Sequence, residues 1–266
     1  MLSERTYPNL RVRMFALGLV TYNLGKDWDV EALISNCVKT GFQAVELRTT
    51  HKHGVEPFLG RDDRISIGRR FADSPVRLLS LGTTCEFHSR EKKVVDNNVN
   101  EAKKFVELAH DVGALGIKVR PNGIPEGFPE DKTIEQIGEA LRKCGQFGER
   151  YGVEIWLEVH GKHSNMPLVV KKMMESANHP LVGICWNSNP EDIEKNSVEK
   201  SLILLEPWLR NVHIRELWDK KYPYGELFKL LKRFRYSRYT LAEIHSSTDP
   251  IRLMHYYHAL WEELST

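Results

Sequence analysis

Short apolar runs rich in β-forming residues alternate along the chain with longer stretches whose apolar positions recur at helical spacing. The runs are Met14–Val20, Gln43–Leu47, Val76–Leu81, Gly116–Arg120, Val153–Glu158, Val182–Trp186, Asn211–Arg215 and Tyr239–Ile244. Val, Ile, Leu and aromatic side chains dominate them, as expected of strands. Behind each lies room for a helix, over about 28–40, 62–73, 91–112, 131–150, 166–178, 197–209, 224–234 and 249–264. Gly41, Gly113 and Gly152 suit the left-handed position that ends a helix. Asp249 followed by Pro250 suits a helix start, the carboxylate as cap and the proline in the first turn.

Strict alternation of strand and helix predicts parallel strands joined by right-handed crossovers. Dividing 266 residues among eight units gives about 33 each, the economy of a closed (β/α)8 TIM barrel of the α/β class. An open doubly wound sheet is the competing architecture. It would place a glycine-rich phosphate turn after the first strand, where this chain has Gly18-Leu19-Val20-Thr21-Tyr22-Asn23. No Pro-rich linker or low-complexity segment interrupts the pattern, so one domain over residues 1–266 is expected.

Composition narrows the function classes. Thirty-eight Lys and Arg against 36 Asp and Glu leave +2, too even to imply a nucleic-acid or membrane-surface partner. The four cysteines, Cys37, Cys85, Cys144 and Cys185, stand far apart without a C-x-x-C pair, which points to a reduced, cytoplasmic setting. The early apolar run Met14–Val20 is far shorter than a membrane span and lacks a signal-peptide cleavage pattern.

Barrel chemistry gathers at the C-terminal ends of the strands. Read there, the second half of the chain offers Glu158, Asn187, His213 and Glu243, separated by 29, 26 and 30 residues, one strand–helix repeat each. A lone strand-end Glu or His is usually a hydrogen-bonded rim residue. Four at matching heights on successive strands instead converge near the axis. Two carboxylates, an imidazole and an amide oxygen suit a divalent ion such as Mn2+, Mg2+, Co2+ or Zn2+ better than a structural zinc, which favours thiolates. Strand alternation adds a second tier two residues on: His160, Asn189, Arg215 and His245.

Glu158 in WLEVHG, His213 in NVHIRE and Glu243 in YTLAEIH resemble the xylose isomerase-like TIM barrel family, which includes sugar phosphate isomerases and epimerases, inosose dehydratases and D-tagatose 3-epimerase-like enzymes. The opening GLVTYNLGKDWDVEALISNCVKTGFQAVELR is similar to that family's first strand, helix and Glu-ended second strand, so the likeness spans nearly the whole chain. The resemblance implies one divalent ion held by Glu158, Asn187, His213 and Glu243, with the two glutamates moving protons beside the substrate carbon. Where the family usually carries aspartate this chain has Asn187, which removes one negative charge and implies weaker binding of a more Lewis-acidic ion. Pro190 stands where the related base-excision nucleases place a ligand histidine, which argues against DNA repair.

The implied reaction is abstraction of a proton next to a carbonyl held by the ion, giving an enediolate. Reprotonation yields an epimer or an isomer; loss of a β-substituent makes the same start a dehydratase or lyase on keto-sugars, inosose or 3-oxo-glycosides. A non-catalytic sugar-binding barrel is a third class. Glu158 and Glu243 are the expected acid/base pair, with His160 as a relay or pocket hydrogen-bonding group. Lys118, Arg215, Glu46 and Trp218 are the expected substrate contacts, each with a structural alternative: strand-end ion pairing for Lys118 and Glu46, packing on the next helix for Trp218. His51, His53 and His88 fall in loops on the same side. No basic nest is legible along the chain, and the small net charge agrees with an uncharged carbohydrate. Aromatic residues on the last helix offer a homodimer contact, although packing within the chain accounts for most of them.

Overall fold

The structure is a computed structural model that describes residues 14–266; the part of the expected domain on residues 1–13 lies outside the described residues. Eight strands and eight helices alternate: β1 (Ala16–Val20), α1 (Val30–Thr40), β2 (Ala44–Arg48), α2 (Arg61–Ala72), β3 (Arg77–Glu86), α3 (Lys92–Val112), β4 (Gly116–Arg120), α4 (Glu130–Gly148), β5 (Glu154–Glu158), α5 (Pro167–Ala177), β6 (Val182–Trp186), α6 (Glu199–Leu205), β7 (Leu209–Ile214), α7 (Tyr224–Arg233), β8 (Tyr239–Ala242) and α8 (Pro250–Leu264). Every strand pairs in parallel with its successor, and β8 pairs with β1 to close the barrel. The open-sheet alternative is thereby excluded. No helix of the described residues is long and apolar enough to cross a membrane.

Local chemistry sets the element ends. The Asp29 side chain accepts from the Ala32 N–H at 2.9 Å and starts α1, while Gly41 (φ 79°) and Gly113 (φ 78°) end α1 and α3 in left-handed conformations. Asp249 caps α8 through the Arg252 N–H, with Pro250 in the first turn. Several expected bounds differ from the structure: β8 stops at Ala242 rather than Ile244, and α4 closes at Gly148, so Gly152 lies in the turn after it. β3 runs on to Glu86 rather than stopping at Leu81, and α6 closes at Leu205 because Pro207 shapes the 3-10 turn Glu206–Trp208 that follows.

Strand alternation sorts the apolar side chains into two cores. Outward residues such as Leu17, Val45, Ile117, Ile155, Ile184 and Val212 meet the helices in a continuous annulus. A separate, smaller cluster of Val20, Ala44, Leu79, Trp156, Cys185 and Leu241 fills the lumen. The lumen admits Trp156 and Leu241 only because glycines face them. A Cβ on Gly116 would lie 2.9 Å from the Trp156 ring, and one on Gly18 would lie 2.3 Å from Leu241 Cδ2 and 2.8 Å from the Ala44 carbonyl oxygen. This plug closes the barrel bottom and leaves the upper lumen to polar groups. On α8, Met254, Tyr257 and Trp261 are buried, Trp261 edge-on to Phe15 and Tyr257 against Phe42.

Overpacking the lumen should cost stability. Gly18→Val is expected to destabilise by about 1–3 kcal/mol, which lowers the melting temperature by about 2–4 °C per kcal/mol for a chain of this size. Thermal unfolding followed by circular dichroism checks this; an unchanged melting curve would show that the lumen has room to spare.

Candidate active site

Above the apolar plug the inward positions turn polar, and they do so in two layers. Glu46 on β2, Lys118 on β4, Glu158 on β5, Asn187 just after β6, His213 on β7 and Glu243 just after β8 form the lower layer. Two residues further along the same strands come Arg48, Arg120, His160, Asn189, Arg215 and His245. A cavity of about 270 Å³ opens here, at the C-terminal mouth of the barrel. Its lining includes Lys118, Glu158, Asn187 and Glu243 from the lower layer and Arg48, Arg120, His160, Arg215 and His245 from the upper.

The lower layer is held by one buried cation. Lys118 Nζ lies 3.2 Å from Glu46 Oε1 and 3.1 Å from Glu158 Oε2, with all three side chains almost fully buried. Glu46 Oε2 accepts from Ser80 Oγ at 2.8 Å, and its other oxygen stands 3.4 Å from His213 Nε2. Burial pushes the Glu46 carboxyl up, but Lys118, His213 and the Ser80 hydroxyl hold it well below the usual carboxylate range. Burial alone would discharge Lys118; the charges of Glu158 and Glu46 keep it protonated, above the usual lysine range. Glu158 is likewise held below the usual range, chiefly by Lys118 against its own desolvation.

Glu46 stands beside Nε2, and both ring nitrogens of the fully buried His213 lack a hydrogen-bond partner; a proton on Nε2 towards Glu46 would leave Nδ1 as a ligand atom. Nδ1 lies 3.8 Å from Glu158 Oε1 and 3.9 Å from Glu243 Oε2. One ligand atom from each of Glu158, His213 and Glu243 falls within 4.8 Å of the others. His213 Nδ1 and Asn187 Oδ1 are both buried without a hydrogen-bond partner. Orphaned buried acceptors are costly unless something absent from the protein alone satisfies them. A cation among one imidazole nitrogen and several oxygens would do so, and this donor set fits a divalent ion of the Mn2+, Mg2+, Co2+ or Zn2+ kind. Glu158 serves both partners, since Lys118 takes Oε2 and leaves Oε1 towards His213.

Other expected site residues distribute unevenly. His160 lines the cavity with Nδ1 at 3.1 Å from Asn122 Oδ1. Arg215 also lines it; its backbone N–H donates to the Tyr224 hydroxyl. Glu46 is completely buried outside the cavity lining, against Lys118 and His213. Asn189 turns away from the upper layer: its amide donates to the Val159 carbonyl at 2.6 Å, and it caps the 3-10 turn Pro190–Asp192. Trp218 is 70% exposed outside the cavity lining, with its indole N–H on Glu216 at 3.0 Å. His53 is structural, bonded to the Arg48 carbonyl and the Val55 N–H, and neither His51 nor His88 lines the cavity. Strand reading missed Arg48, Thr83, Tyr22 and Asn23. Arg48 was legible, since it stands two residues beyond Glu46, but the second strand was expected to end at Leu47.

The sequence from residue 34 to residue 259 matches a family model described as xylose isomerase-like TIM barrel. No protein with a curated description matches the chain. Among solved structures, L-ribulose 3-epimerase superposes with a TM-score of 0.79 at 17% identity, covering 94% of this chain and 94% of that one. The apo form of 3-keto-D-glucoside 4-epimerase from E. coli gives 0.76 at 15% identity over 94% of this chain and 98% of that one. The IolI protein with a binding zinc atom gives 0.74 at 15% identity, covering 94% and 96% respectively. At these identities the likeness establishes the fold.

The ion network makes its own prediction. Lys118→Met strands two carboxylates in a buried site and is expected to cost about 3–5 kcal/mol of stability. Lys118→Met combined with Glu46→Gln is expected to lose distinctly less. Guanidinium unfolding of the two variants checks the order, and equal losses would mean that Lys118 acts through its bulk alone.

Proposed function

Because this chain belongs to the xylose isomerase-like TIM barrel family, we propose that it is a divalent-metal-dependent carbohydrate isomerase or epimerase with Glu158 and Glu243 as its acid/base pair. The observation that carries the reading is their placement. Both carboxylates approach the same His213 nitrogen, at 3.8 and 3.9 Å, yet they come from β5 and from the end of β8, three strands apart around the barrel. Both carboxylates also line the cavity, so a sugar bound there would meet them from two separate strands of the wall. That arrangement suits proton removal from one face and return to another face or a neighbouring carbon.

Glu158, Asn187, His213 and Glu243 would hold the ion. A divalent ion so held supplies Lewis acidity, which withdraws electron density from a carbonyl and acidifies the neighbouring C–H. The remaining work falls to the protein. Lys118 keeps Glu158 ionised and therefore able to accept a proton. Glu243, 15% exposed at its side chain, has room to exchange its proton with solvent or with the opposite face. His160, held at Nδ1 by Asn122, leaves Nε2 to bond a substrate hydroxyl or relay a proton. Glu46 sits beside His213 Nε2 and would favour the proton there, leaving Nδ1 to the ion. The cavity, about 270 Å³, lies just below the ~300–1,000 Å³ typical of ligand sites, which suits a ligand no larger than a single sugar.

The test is incorporation of solvent deuterium. Incubated with ketoses, inososes and oxidised glycosides in D2O, the Mn2+-loaded protein should place deuterium at a carbon next to the carbonyl of one of them. Glu243→Gln should slow that exchange by about 10²–10⁴-fold. Exchange that persists at the wild-type rate in both Glu158→Gln and Glu243→Gln would remove the acid/base assignment, and loss of water or an aglycone would move the enzyme to the lyase class. A second prediction concerns the amide ligand. Asn187→Asp restores a negative charge and should tighten Mn2+ binding by at least tenfold in calorimetry; unchanged affinity would take Asn187 out of the ligand set.

A further inference from the structure

Three arginines line the cavity, a concentration that no single stretch of the sequence announces. They are not evenly placed. Arg48 ends β2 and Arg120 ends β4, so the two flank β3, whose Thr83 lines the cavity between them. Arg215 follows β7, in the half of the barrel that carries Glu158, Asn187, His213 and Glu243. The cavity therefore has a ligand half, β5 to β8, and a guanidinium half, β2 to β4.

The guanidinium half is under-neutralised. Arg48 has no carboxylate at ion-pair distance among the described residues; it donates to the Thr49 carbonyl at 3.1 Å and sits 5.9 Å from the Tyr22 ring centroid. Arg120 pairs with Glu86 through Nη2 at 2.6 Å, but its Nε is buried without a hydrogen-bond partner. Burial, and after it the charge of Arg120, pull Arg48 below its usual range. Two like charges lining one cavity, with an N–H left over, are a standing cost that an oxyanion reaching both would relieve.

The charge of the whole pocket points the same way. Arg48, Lys118, Arg120 and Arg215 face the carboxylates Glu46, Glu86, Glu158 and Glu243, so the side chains balance. A divalent ion would leave the pocket at about +2, because Asn187 adds no charge to the ligand set. A dianion, or a monoanion together with the negative charge that develops at the reacting carbonyl, would restore balance.

We propose that Arg48 and Arg120 form an anion subsite, and that the carbohydrate turned over here carries an oxyanion, a phosphate ester or a carboxylate, at the end remote from its reacting carbonyl. The proposal rests on the isomerase or epimerase reading for the words "turned over"; the subsite itself rests on the arginines. The carbonyl lies over the β5–β8 half and the oxyanion meets the fork of Arg120 and the guanidinium of Arg48 across the lumen. Arginine suits both anions because its planar fork matches two oxygens at once.

Calorimetry with the Mn2+-loaded protein tests it, using D-fructose, D-fructose 6-phosphate and D-fructuronate as one series and D-ribulose with D-ribulose 5-phosphate as another. At least one anionic sugar is expected to bind ten or more times tighter than its neutral parent, and whether a phosphate or the carboxylate does so identifies the group. Arg48→Gln and Arg120→Gln should each bring that sugar to within about threefold of the parent. Arg48→Lys, which keeps the charge and the packing but loses the fork, should fall between. Anionic sugars that bind no tighter than their parents, or a preference that survives both Gln variants, would overturn the proposal. Deuterium exchange on the same sugars separates the two readings. Arginine-dependent anion binding without exchange on any sugar overturns the isomerase reading and leaves the subsite standing. Exchange on neutral sugars without anion preference does the reverse.

Discussion

The contact on which the site depends is Lys118 between Glu46 and Glu158, an ammonium buried with two carboxylates at 3.2 and 3.1 Å. Neither charge sign is tolerable there alone, since desolvation would protonate the acids and deprotonate the base. Together they remain ionised, and their geometry propagates outwards. Glu46, fixed by Lys118 and Ser80, sits against His213 Nε2; His213 then presents Nδ1 to Glu158 and Glu243. Glu158, fixed at one oxygen, keeps the other for the cavity. A single buried cation thus orients three of the groups on which the proposed chemistry relies.

The barrel lets such a network exist. Parallel strands bring their C-terminal ends to one mouth of the barrel, so Glu46, Lys118, Glu158 and His213 from four strands, with Asn187 and Glu243 just past two more, converge there. The plug of Trp156, Leu241 and their glycine partners seals the lumen beneath. Water is therefore excluded from below, where Lys118 relies on Glu46 and Glu158 for its charge, and admitted from above, where Glu243 and His160 meet the cavity.

Much of this was legible in the residues. Short apolar runs and helical stretches place all eight strands and helices, because both faces of a parallel strand are buried and read as dense apolar runs. The spacing from Glu158 to Asn187, His213 and Glu243 carries the site for the same reason: in a closed barrel, distance along the chain maps onto angle around the axis. What failed was local. Asn189 obeys the two-residue rule, but the chain leaves strand geometry at Ser188 (φ 48°), and the amide turns to Val159. Trp218 lies in a loop, where no periodicity fixes direction, and it faces solvent. The arginine pair was invisible because Arg48 and Arg120 stand 72 positions apart and meet only through closure of the barrel. The small net charge of the whole chain, read as agreement with an uncharged sugar, says nothing about a pocket in which cations and anions are sorted onto different walls.

All of this turns on whether four strand-end residues share one ion. Anomalous diffraction from crystals soaked in Mn2+ measures that directly. The account predicts one strong peak in the lumen, about 2.0–2.3 Å from Glu158 Oε1, Asn187 Oδ1, His213 Nδ1 and a Glu243 carboxylate oxygen. A crystal without a peak there, or with manganese bound elsewhere and Asn187 Oδ1 uncoordinated, would contradict it.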